Sequence, residues 1–167
     1  MEVKDAIKGR RSVRKYKRTQ ISGLVMEELL DSMRLSPSSS NEQRWSIIVV
    51  TDAELRDKLV SASGNQKFVG ECSAYLVGVI DRGDDFRTID LAIALDHLTL
   101  RAVEMGLGTC WIGDFDPDEV SKILGIPKDK EVPICMTLGY PALSPGARKR
   151  KKLSELFHSD RWDNPWK

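Results

Sequence analysis

Gly106-Leu107-Gly108-Thr109-Cys110-Trp111-Ile112-Gly113 is the stretch on which the reading of this chain turns. It follows Thr88–Met105, a long and largely apolar run that predicts a central helix. Gly106 and Gly108 stop that helix, because glycine adopts the left-handed conformation that helix ends favour. Thr109–Ile112 is then a short apolar segment leading into Gly113. These glycines follow a helix rather than a strand, and their spacing is not G-x-G-x-x-G, so a Rossmann dinucleotide fingerprint is not supported. Two readings of them stand: a plain helix stop, or a close backbone approach to a flat ligand.

Working outward, the same periodicity arguments place the other elements. Residues 2–9 predict a short helix with Val3, Ala6 and Ile7 on one side. Ser22 is an N-cap for a helix to about Leu35, whose apolar face is Leu24, Met26, Leu29, Leu30 and Met33. Pro37 ends it, since proline disfavours helical geometry at Ser36. Trp45–Val50 reads as a buried strand, Asp52 caps a helix over Ala53–Ala62, and Ala74–Ile80 is a second strand. Asp116-Pro117-Asp118-Glu119 opens a helix that Gly125-Ile126-Pro127 stops. Val132–Leu138 is a third strand, closed by Gly139-Tyr140-Pro141. The expectation is one α+β domain over residues 1–167, with helices packed around a mixed sheet.

Length and composition agree with one ordinary domain of 167 residues and exclude several classes. Hydrophobic content of 41% supports a core. No apolar run reaches the roughly 20 residues of a membrane helix. The basic N-terminus lacks the apolar stretch of a signal peptide. Cys72, Cys110 and Cys135 are widely spaced and form neither a disulfide framework nor a zinc motif, which suits a reducing cytoplasm. They read as small core residues, His97 as a core or interface histidine, and Asp96 as a buried or interfacial hydrogen-bonding group.

The net charge of +1 hides an asymmetry. Eight basic residues lie in 1–18 and five more fill 148–152, which is 13 of the 26 in the chain. The remainder holds 13 cations against 23 acids, a balance of −10. In the first cluster, alternation at Arg10, Ser12 and Arg14 puts three polar groups on one side if the segment is extended. Two guanidiniums and a hydroxyl suit a phosphate. A solvated basic face is the competing reading, and nucleic acid is the rival anion. Against nucleic acid stand the low net charge and the lack of any helix-turn-helix, zinc-finger or RNP pattern. Ser36–Asn41, with Gln43 behind it, is either a simple helix-to-strand loop or a cluster of short donors and acceptors for a heterocycle edge.

Four motifs in order carry a resemblance: Arg10-Arg11-Ser12-Val13-Arg14-Lys15-Tyr16; Ser36-Pro37-Ser38-Ser39-Ser40-Asn41-Glu42-Gln43-Arg44-Trp45; Gly106 to Gly113; and Leu138-Gly139-Tyr140-Pro141 with the basic run behind it. Together they resemble the nitroreductase family of FMN-dependent oxidoreductases, over residues 6 to about 162, among its small members. The resemblance implies an α+β sandwich with a mixed, mainly antiparallel sheet around a long central helix, and a domain-swapped C-terminal segment. It implies FMN as cofactor, NADH or NADPH as reductant, and a homodimer with FMN at the subunit interface. By that likeness Arg10 and Ser12 hold the phosphate together with Arg148 and Arg150. Arg11 and Arg14 share the segment, with Arg14 nearer the ribityl and pyrimidine part. Pro37, Ser38, Ser39 and Asn41, with Gln43 behind them, line the ring system from the other subunit. Trp111, Ile112 and Gly113 lie along the isoalloxazine. No catalytic side chain or metal is expected, because FMN carries the redox chemistry. The implied reaction is ping-pong hydride transfer to a nitroaromatic or quinone; a non-catalytic flavin-sequestering protein on the same scaffold is the alternative. Two positions depart from the family pattern, with Arg44 where proline commonly precedes the tryptophan and Ser36 where alanine is common.

Overall fold

The computed structural model describes residues 1–83 and 85–166. Its helices are α1 (Val3–Gly9), α2 (Gly23–Arg34), α3 (Ala53–Ala62), α4 (Phe68–Glu71), α5 (Asp85–Glu104) and α6 (Pro117–Leu124). Its strands are β1 (Trp45–Val50), β2 (Ala74–Asp81), β3 (Gly108–Ile112), β4 (Lys130–Glu131) and β5 (Cys135–Gly139). The strands lie in the order β1-β2-β5-β3, with β4 also on β2, and every strand pair is antiparallel. One parallel bridge, Ser12 to Thr109, ties the N-terminal segment alongside β3.

Alternation along β2 explains the layering. Ala74, Leu76 and Ile80 point to one face, where they join Leu29 and Met33 of α2 and Leu91, Leu95 and Leu98 of α5. Tyr75, Val77 and Val79 point to the other, against Leu59 of α3, Val69 of α4 and Val120 of α6. Both faces are covered, so all but the last residue of β2 is buried. At Gly78 a Cβ would stand 2.5 Å from Leu91 Cδ2 and 3.2 Å from the Ile134 carbonyl, so glycine lets α5 lie close on the sheet.

Local signals set most of the boundaries. The Ser22 and Asp52 side chains accept from Val25 N and Leu55 N, and Asp116 accepts from both Asp118 N and Glu119 N. Gly125 closes α6 with φ of 68°. The structure differs from sequence expectation in three places. The strand predicted over 132–138 begins only at Cys135 and runs to Gly139, since Pro133 cannot donate to a ladder, and the two-residue β4 lies ahead of it. Helix α4, only four residues long, carries no periodicity long enough to read. In α1 only Ala6 is buried, and Val3 and Ile7 face outward. Asp96, expected to be a buried or interfacial hydrogen-bonding group, is exposed on the single chain, and its carboxylate accepts from the Thr99 hydroxyl. No helix among the described residues is long and apolar enough to cross a membrane.

Candidate flavin site

The basic N-terminal segment is positioned by its apolar members. Val13 and Tyr16 are buried, and Val13 N donates to Thr109 O at 2.9 Å. The Tyr16 hydroxyl donates to Val13 O at 2.8 Å and lies 2.7 Å from Thr137 Oγ1. Further along, Lys17 N donates to Tyr140 O and Ala142 N to Lys15 O. The segment is therefore stitched to β3 and to the chain beyond β5. Gly108 and Gly139 permit this, since a Cβ at Gly108 would meet Val13 Cγ2 at 2.5 Å and one at Gly139 would meet Tyr16 Cδ1 at 2.9 Å. With Val13 turned inward, Ser12 and Arg14 turn the other way, as the alternation predicts.

The electrostatics of this corner are cationic. Burial pushes the Cys110 thiol up, against the pull of Arg14, Arg10 and the nearby Ser12 hydroxyl. These three candidates thus converge beside one point of β3. Among the described residues no carboxylate pairs with Arg10, Arg11 or Arg14. Arg11 differs from its neighbours: its guanidinium donates to Lys8 O at 2.6 Å and Arg10 O at 2.8 Å, capping the end of α1, while its Nε is buried without a partner. Trp111, Ile112 and Gly113 leave the far end of the same strand, and nothing lies within 4 Å of where a Cβ would stand on Gly113.

The second group forms a loop of unusual backbone. Ser40, Asn41 and Gln43 have φ of 49°, 55° and 52°, a region that costs a non-glycine residue about 1–3 kcal/mol. Local bonds hold part of it: Gln43 N donates to Ser38 Oγ at 3.1 Å, and Gln43 Nε2 to Asn41 O at 3.0 Å. Pro37, Ser39, Asn41 and Gln43 are exposed and Ser38 half-buried. The loop also rests on α5, where the Asp90 carboxylate accepts Ser39 N at 3.0 Å and Arg87 pairs with Glu42. Asp90 and Arg87 were not among the expected site residues. Their signal in the sequence is slight, two opposite charges three apart near the start of an otherwise apolar helix.

Sheet register separates the two groups. Ile112, Cys135, Val77 and Ile48 share one row, and Trp45 is paired with Ile80 three residues beyond it. Gly113 and the 38–43 loop therefore leave the same end of the sheet from opposite edges, three strand spacings or about 14 Å apart. Thr109, with Ser12 beside it, lies six residues from the Trp45 row, about 20 Å along the strands. The phosphate candidates and the ring-lining candidates occupy diagonal corners of one chain. Arg148 and Arg150 are exposed on the C-terminal segment and make no hydrogen bond or ion pair with Arg10, Ser12 or Arg14.

A model of the nitroreductase family matches residues 7–74 and 68–140, across both groups of candidates. The chain belongs to the nitroreductase family. A nitroreductase-family relative from Archaeoglobus fulgidus, provisionally named an NADH dehydrogenase/NAD(P)H nitroreductase, is 34% identical over 141 residues, covering 79% of this chain and 81% of the relative. The solved NADPH:FMN oxidoreductase of Vibrio harveyi, in complex with NAD+, superposes with a TM-score of 0.90 at 27% identity, over 97% of this chain and 78% of that one. An FMN-dependent nitroreductase from Clostridium difficile R20291 superposes at 0.85 and 25% identity, over 94% of this chain and 98% of that one. The match to a chain of nearly equal length agrees with the expectation of a small member of the nitroreductase family.

Proposed function

We propose that the protein is an FMN-dependent NAD(P)H oxidoreductase that works as a homodimer by a ping-pong cycle. The carrying observation is the Arg10–Ser12–Arg14 corner, an extended cationic segment that no carboxylate neutralises among the described residues. Its donors fit a phosphomonoester, which carries about −1.5 to −2 charges near neutrality. The open face at Gly113 fits a flat ring, and the family membership supports both assignments. FMN, when bound, supplies hydride acceptance from NADH or NADPH and its onward transfer to an electron-poor acceptor such as a nitroaromatic or quinone.

The chain's own residues bind and orient. Arg10 and Ser12 hold the phosphate, and Arg14 adds positive charge toward the ribityl and pyrimidine part. Arg148 and Arg150 reach the phosphate from the C-terminal segment as it wraps the partner. Arg11 acts indirectly, by fixing the end of α1 from which the segment departs. Trp111, Ile112 and Gly113 offer the ring a backbone edge at the end of β3. The Pro37–Gln43 loop serves the site of the second copy, which is the arrangement its distance from Ser12 favours.

The test is anaerobic mixing of the purified yellow protein with NADH and, separately, NADPH. Bleaching of the flavin band, followed by its return with a quinone or nitroaromatic, is expected. A colourless preparation that fails to take up added FMN overturns the flavin assignment. Bound flavin that neither nucleotide bleaches leaves a sequestering protein instead.

A further inference from the structure

The 38–43 loop is held in its left-handed backbone from outside the loop, and the role inferred here for that hold rests on the flavin reading above. Three of four consecutive positions carry positive φ on residues that are not glycine. Such a conformation persists only where the surroundings over-determine it. The hydrogen bonds inside the loop join it to itself and do not fix it to the body of the protein. The attachment is supplied by α5. Asp90 is 5% exposed, and its Oδ1 accepts the Ser39 N–H at 3.0 Å. Its Oδ2 lies 3.6 Å from Arg87 Nη1, and Arg87, 7% exposed, reaches out to the Glu42 carboxylate. One buried carboxylate and one buried guanidinium thus grip the loop at two points, Ser39 and Glu42, on either side of Ser40 and Asn41.

Arg44 extends this network at the loop's exit. It stands 3.8 Å from Glu42 and 3.9 Å from Asp81, and Asp81 is in turn bound by Lys130. An ionic chain thus joins the loop to β2 and β4.

We propose that Asp90 and Arg87 are positioning residues that preset the loop for the flavin ring, with Glu42 as their handle on it. A buried charge pair suits this task because its geometry is specific. Neither residue touches the phosphate corner, so their effect falls on the ring and not on the phosphate. That separation is measurable with two probes, FMN and riboflavin, which share the ring and differ in the phosphate.

The experiment is fluorescence titration of the full-length apoprotein with both probes, for wild type, Asp90→Ala, Asp90→Asn, Glu42→Gln and Arg10→Ala. Asp90→Ala is expected to weaken FMN and riboflavin by the same factor, at least tenfold, and to shift the visible band of the bound flavin. Asp90→Asn keeps an acceptor for Ser39 N–H and should recover part of that loss. Arg10→Ala should weaken FMN alone. Should Asp90→Ala fail to fold by circular dichroism, the exposed Glu42→Gln carries the test, with a loss of a few-fold shared by both probes. Unchanged affinity and spectrum, or a loss confined to FMN, overturns the positioning role. A wild-type protein that binds neither probe overturns the flavin reading itself, and the two failures are thereby told apart.

Discussion

Cys72, Cys110 and Cys135 are buried free thiols, and burial pushes Cys72 and Cys135 up to about 12. An unfolded thiol titrates near 8.5. The folded state therefore holds protons on these two groups that the unfolded state gives up, and stability should be full below about pH 8.5 and fall as pH rises from there toward 12. Urea melts at pH 7, 9 and 10 should show a declining midpoint, and the native protein at pH 8 should resist alkylation at Cys72 and Cys135. A flat midpoint, or rapid native alkylation, would contradict the burial argument. Single residues of this kind were legible in the sequence, because an isolated cysteine with no metal or disulfide spacing has little to do but pack. Asp90 was not legible. Its partner is the backbone of a loop 51 residues away, and no local pattern announces such a bond.

Elements with strong local grammar were read to within a residue. β1 and α3 have the predicted bounds, since an apolar run and an aspartate cap each act over a few positions. The alternation at Arg10, Ser12 and Arg14 puts its polar groups together only if the segment is extended, and the attachment to Thr109 that holds it so is a long-range fact that depends on two glycines, 108 and 139, lying where Val13 and Tyr16 arrive. Pro133 cut a predicted strand for the opposite reason, a local rule given too little weight. Contact between elements is where glycine does most in this fold. Gly78→Ala should force Leu91 off its packed position, and overpacking of this kind costs about 1–3 kcal/mol. A domain of this size loses about 2–4 °C per kcal/mol, so calorimetry should find Tm lowered by several degrees. An unaltered Tm would mean that α5 can shift away from β2 without loss.

At the scale of the molecule, the half of the cations gathered at 1–18 and 148–152 pointed to an anion, and the family match favours one small phosphate over a polyanion. Likeness to the family implies that the two halves of the site belong to two subunits. The strand order is consistent with that expectation, since β1 and β3 are the two edges of the sheet. If the site is shared, flavin absorbance in analytical ultracentrifugation should travel with a dimer, and dilution to monomer should release it. A monomer sedimenting with full flavin would remove the second copy from the site.

The diagonal layout also has a consequence for heredity. A dimer built this way has two pockets, each using the phosphate corner of one chain and the loop of the other. Suppose one allele damages Arg10 and another damages Asp90. In the mixed dimer one pocket receives both injuries, and the other receives neither. Two broken genes then make one working site between them, which neither makes alone.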